Sequence, residues 1–107
     1  MRVRWGMARV HGRSMTPTLR DGDRLLVRHG AVPRAGQVAV VRFADGVVAV
    51  KRLERLEPAG WWVSRDNLRE GRDSWSAGSV APHDVVAVVA GRLWPRPGRL
   101  PGGPTPY

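Results

Sequence analysis

Apolar residues along this chain come in short clusters, each closed by glycine, proline or an Asp-Gly pair, rather than at the helical spacing sustained over several turns. That pattern predicts strands and turns. Clusters rich in valine, leucine and tryptophan place strands near Met7 to His11, Arg24 to Arg28, Gln37 to Phe43, Val47 to Leu53, Trp61 to Ser64 and Val85 to Leu93. Asp45-Gly46, between GQVAVVRF and GVVAVKRL, predicts a hairpin with a tight primed turn, which puts Lys51 on a hairpin strand. Between Pro17 and Asp23 the sequence suits one short helical turn closed by Asp21-Gly22, leaving Ser14 at a strand-to-turn junction. The expected fold class is therefore mainly β.

From Pro95 onward the segment PRPGRLPGGPTPY has too much proline and glycine for a ladder or a helix. The expected organisation is one domain over residues 1–95 followed by a flexible tail over 96–107. A length of 107 residues suits a single small core. No run of apolar residues approaches the ~18 of a transmembrane helix, and the start MRVRWGMARVHG lacks the apolar centre of a secretory signal. The expected location is the cytoplasm or the surface of a membrane.

Composition changes this picture in two ways. The chain has no cysteine, which excludes disulfides and thiolate metal sites, and His11, His29 and His83 lack metal-site spacing, so neither metal nor cofactor is expected. The net charge is +9, and Lys51 is the only lysine among 18 basic residues. Arginine cannot lose its proton in a protein, so only Lys51 among these residues can act as a base.

A serine hydroxyl needs a base within hydrogen-bond reach and a donor for the oxyanion before it attacks an amide. His11 lies three positions from Ser14 and has no evident Asp partner to orient it. A lysine serves only when neutral, which means lowering its pKa from about 10.4 to near about 7, at a cost of ~4 kcal/mol. Lys51 sits among Val47, Val48, Ala49, Val50 and Leu53, the most apolar strand segment of the chain, where desolvation acts in that direction.

The segments GRSMTPTLRDGDRLLV, GQVAVV, VVAVKRL and DNLREGRDSWSAGSV, in that order, resemble the boxes of type I signal peptidases and their relatives, serine peptidases of the S24/S26 type. The resemblance spans most of the chain. It implies an antiparallel signal-peptidase/LexA-like β-domain, a serine endopeptidase activity, Ser14 as nucleophile and Lys51 as base. Met15, Pro17, Thr18 and Arg52 match the same boxes. The resemblance further implies an extended peptide partner, a leader or propeptide, lying between Arg9 to Gly12 and Val48 to Val50 and cut after small residues. Val10, His11, Met15, Leu19, Ala49 and Val50 are the expected substrate contacts, and Gly12, the Ser14 backbone N–H, Asp73 and Ser74 the expected supports of oxyanion and lysine.

Asp66 and Asn67 are read as structural supports. Gly12 and Gly71 stand where some relatives carry serine, Arg65 where glycine is usual and Trp75 where arginine is usual. The short form without an anchor is most similar to the maturation proteases of nickel-type superoxide dismutase.

Three other readings are open. LexA-type repressors share the dyad and cleave themselves, but the thirteen residues before Ser14 hold neither a helix-turn-helix nor an Ala-Gly arm. A basic β-barrel could stack nucleic-acid bases on Trp5, Trp61, Trp62, Trp75 and Trp94, although core packing is the favoured use of these rings and no nucleic-acid partner is expected. Finally, Arg2, Arg4, Trp5 and Arg9 suit peripheral contact with anionic headgroups.

Overall fold

A computed structural model describes residues 3–67 and 78–100. Six strands form within them: β1 (Arg4–Arg9), β2 (Arg24–His29), β3 (Val38–Arg42), β4 (Val48–Glu57), β5 (Gly60–Ser64) and β6 (Val85–Trp94). All six expected strands are present, their ends shifted by up to four residues, most at the start of β1 and the end of β4. β1 starts three residues earlier than expected, because its register is set by pairing with β2 from Arg4↔His29 to Arg9↔Arg24. β4 continues past Leu53 to Glu57, where Glu57↔Gly60 closes its hairpin with β5.

The strands form one antiparallel sheet in the order β1-β2-β6-β3-β4-β5. The last strand lies between β2 and β3, so two of the five pairings join segments distant in sequence. β3 shows why its sequence is apolar without a break: Val38 packs into one cluster with Val10, Met15, Leu19, Leu25, Val27 and Ala87, while Ala39 and Val41 face a second with Phe43, Leu53, Trp61, Val63 and Val80. A strand covered on both faces must be apolar at every step.

The β3–β4 hairpin uses a different turn from the expected one. Among the described residues no non-glycine residue has positive φ, so Asp45 cannot take part in a primed turn. Instead the Gly46 N–H donates to the Phe43 carbonyl at 2.8 Å, the Phe43 N–H to that of Val47 at 2.9 Å, and Gly46 alone is left-handed at φ 88°. This is a three-residue loop, a type I turn followed by a glycine bulge. The Asp45 side chain accepts from the Val47 N–H at 3.1 Å, which explains aspartate at that position.

Beyond β6 the chain folds back: Arg92 and Gly98 exchange backbone hydrogen bonds of 2.8 and 3.0 Å, and Leu100 packs against the first cluster. Of the described tryptophans, Trp61 is in the core, Trp62 is half-buried, and Trp5 and Trp94 are exposed. Among the described residues no helix is long and apolar enough to cross a membrane.

Candidate active site

Ser14 and Lys51 reach the same place by different routes. Lys51 stands on β4 directly opposite Ala39 of β3. Strand alternation puts Ala49 and Leu53 on the same face as the lysine and turns Val50 to the other. The result is a lysine only 3% exposed, beside the second apolar cluster. Desolvation of that degree disfavours the charged form of any ammonium.

Ser14 is half-buried and lies on the irregular segment between β1 and β2. That segment holds one turn closed by the Leu19 N–H donating to the Met15 carbonyl at 2.8 Å, two residues upstream of the turn expected from Pro17. Its base is fixed by Val10, whose N–H donates to Asp23 and whose carbonyl accepts from Gly22, at 2.9 and 2.8 Å. The Gly12 N–H donates to the Asp21 carboxylate at 2.8 Å. Gly12 itself has φ 83°, a conformation that a side chain disfavours, which explains glycine where some relatives of the resembled family carry serine.

The other side of the serine segment is held from beyond β5. The Asn67 backbone N–H donates to the Ser14 carbonyl at 2.7 Å, and its side-chain amide donates to the Arg13 carbonyl at 2.8 Å. The preceding residue, Asp66, accepts from the Thr18 hydroxyl and takes Arg52 through two nitrogens, Nη2 at 2.6 Å and Nε at 3.2 Å. Arg52 also donates to the Gly36 carbonyl at 2.9 Å. Its side chain is 4% exposed, so the pair is buried and fully bonded, the condition under which such a pair is tolerated. Consecutive residues of β4 therefore do two jobs: Lys51 faces the site and Arg52 anchors its opposite wall.

A cleft of about 310 Å³ is lined by both Ser14 and Lys51. Of the residues expected from sequence, Val10, His11, Gly12, Met15, Ala49 and Val50 line it as well. Leu19 does not: it is fully buried in the first cluster with Val10 and Met15, because the turn from Met15 to Leu19 directs it into the core. Asp73, Ser74, Gly71 and Trp75 lie outside the described residues.

The cleft also includes Arg13, Phe43 and Val47, which the sequence reading missed. Phe43 and Val47 flank the Asp45-Gly46 loop and read only as hairpin ends, whereas the fold sets that hairpin beside residues 10–15. Thr18 and Arg52 were visible as box residues, but their joint hold on Asp66 was not.

One open strand edge borders the cleft. β5 pairs with β4 only from Arg52 onward, so Val48 to Lys51 has a strand neighbour on one side alone, β3, among the described residues. No described residue accepts from the Ser14 backbone N–H. Among the described residues no group of three His, Asp or Glu side chains is placed to hold a metal ion.

A family model described as Peptidase S24-like matches residues 4–88, a span that includes every strand up to the start of β6. Neither the curated proteins nor the solved structures contain a match to the chain.

Proposed function

The chain belongs to the Peptidase S24-like family, a peptidase family with a β fold, and from that premise we propose that it is a serine endopeptidase working through a Ser14–Lys51 dyad. The observation that supports this reading is the shared cleft: the only lysine of the chain, a buried one, lines it together with the serine that the resembled motif marks as nucleophile.

In this reading neutral Lys51 Nζ takes the proton from Ser14 Oγ as the oxygen attacks the peptide carbonyl. The Ser14 backbone N–H donates to the oxyanion of the tetrahedral adduct. Collapse breaks the C–N bond, and the lysine's proton passes to the leaving amine. Water then attacks the acyl-serine while Lys51 accepts its proton; the C–Oγ bond breaks, the proton returns from Lys51 to Ser14 Oγ, and the acid is released. Gly12 and the supports Asp73 and Ser74 belong to the same proposal.

The substrate is an extended peptide that adds to the open edge of Val48 to Val50, the main-chain ladder giving affinity and the side-chain pockets selectivity. Val10, Met15 and Val50 wall a pocket suited to small residues. We assign the cut to a leader or propeptide junction, the propeptide of nickel-type superoxide dismutase being the first candidate.

The test is cleavage of peptides bearing alanine or glycine before the scissile bond, that propeptide junction included, followed by mass spectrometry across pH. Wild type should cut, faster as pH rises and Lys51 loses its proton, and Ser14→Ala and Lys51→Ala should not. Cleavage that persists in both variants sinks the dyad.

A further inference from the structure

A second cavity, of about 370 Å³, shares no lining residue with the Ser14–Lys51 cleft. Lys51 and Arg52 are adjacent on β4, yet the first lines the cleft and the second lines this cavity. Its walls bring together Trp5, Arg28, Gln37, Arg52, Arg99 and Leu100, and no aspartate or glutamate among the described residues lines it. Three arginines thus line one cavity, and only one of them has a carboxylate partner among the described residues.

Their situations differ. Arg52 is committed to Asp66 and to the Gly36 carbonyl. Arg28 is half-buried on β2, its side chain bonds to no other described residue, and its Nε is fully buried without an acceptor. Arg99 likewise has no ion pair among the described residues and is exposed. A buried charged donor without an acceptor is costly and rare in a folded protein, and an anion paired with the outer nitrogens of the same guanidinium offsets part of that cost.

We propose that this cavity binds a small organic anion, its phosphate or carboxylate group held by Arg28 and Arg99 and its apolar part lying against Trp5 and Leu100. Guanidinium groups take such oxygens in pairs, which no other side chain matches in geometry. The volume lies in the range of small-molecule sites. The proposal does not depend on the reading of Ser14 and Lys51.

Isothermal titration of the full chain with phenyl phosphate, benzoate and phenol at constant ionic strength tests it. Phenyl phosphate or benzoate should bind saturably and phenol should not, and the tighter of the two anions identifies the head group the site takes. Arg28→Gln and Arg99→Gln should each weaken binding roughly tenfold, the scale of losing one charged hydrogen bond. Arg42→Gln, which removes an exposed partner of Asp84 away from the cavity, should bind as wild type does. No saturable binding, equal binding of phenol, or an equal loss in Arg42→Gln overturns the site. If Arg28→Gln melts well below wild type, the exposed Arg99→Gln decides the matter alone.

Discussion

The two halves of the cleft are built on opposite principles. Lys51 rides on a regular strand, and the β3–β4 ladder together with Ala39, Ala49 and Leu53 is enough to place it. Ser14 rides on a segment with no ladder, and polar groups hold it from two sides: Asp21 and Asp23 within the segment, and Asp66 and Asn67 beyond β5. Apolar packing tolerates repacking, whereas a buried polar network fails when one member is removed. The serine side should therefore be the fragile one.

The sharpest way to break that comparison is to remove each chemical group in turn. Ser14→Ala and Lys51→Met should each lower kcat at least about a thousandfold, the scale seen when one member of a cooperating catalytic unit is lost. Their stabilities should stay near wild type, since Lys51→Met exchanges a buried amine for an apolar chain of similar length. Thermal melting that drops steeply for Lys51→Met would mean that the lysine is a structural group.

Asp66→Ala leaves the Arg52 guanidinium buried without its carboxylate, and the expected loss is about 3 kcal/mol or more in denaturant unfolding. Removing the exposed pairing partner in Arg42→Gln should change stability by less than about 1 kcal/mol, which provides the contrast.

Leu19→Ala should cost ~2 to 5 kcal/mol and leave the preference for small residues intact, because Leu19 is core and does not line the cleft. A shift in cleavage specificity instead would return Leu19 to the pocket.

The smallest effect is expected at Asn67→Ala. It deletes the side-chain bond to the Arg13 carbonyl but keeps the backbone bond to Ser14, for a loss of about 1 kcal/mol. Its kcat should fall with KM little changed, since the serine is loosened and the β4 edge proposed to bind substrate is not.

Much of this was legible beforehand. Clusters rich in valine, leucine and tryptophan, bounded by glycine, proline or Asp-Gly, marked all six strands, because strand preference and turn chemistry are local properties. Ser14 and Lys51 were legible as candidates for a chemical reason: the motif marks the serine, and among the lysine and arginine residues only the lone lysine, in an apolar strand, can be neutral. Strand pairing order was not legible. Nothing local tells β6 to insert between β2 and β3, since that choice is made by which apolar faces cover one another.

For the same reason the cleft lining was only partly foreseen. Val10, Met15, Ala49 and Val50 follow from nearness to the two chemical residues, but Phe43 and Val47 enter because the hairpin folds beside residues 10–15. Arg52, Asp66 and Thr18 are separated by up to 48 positions, and their union needed the folded chain. The gathering of Arg28, Arg52 and Arg99 around one cavity is likewise a product of the fold. Local backbone preference and side-chain chemistry are written residue by residue, and so the sequence determined the strands and the candidate dyad; contacts between distant segments depend on the whole packing, and only the tertiary structure decided which polar groups hold the serine segment and which arginines share a cavity.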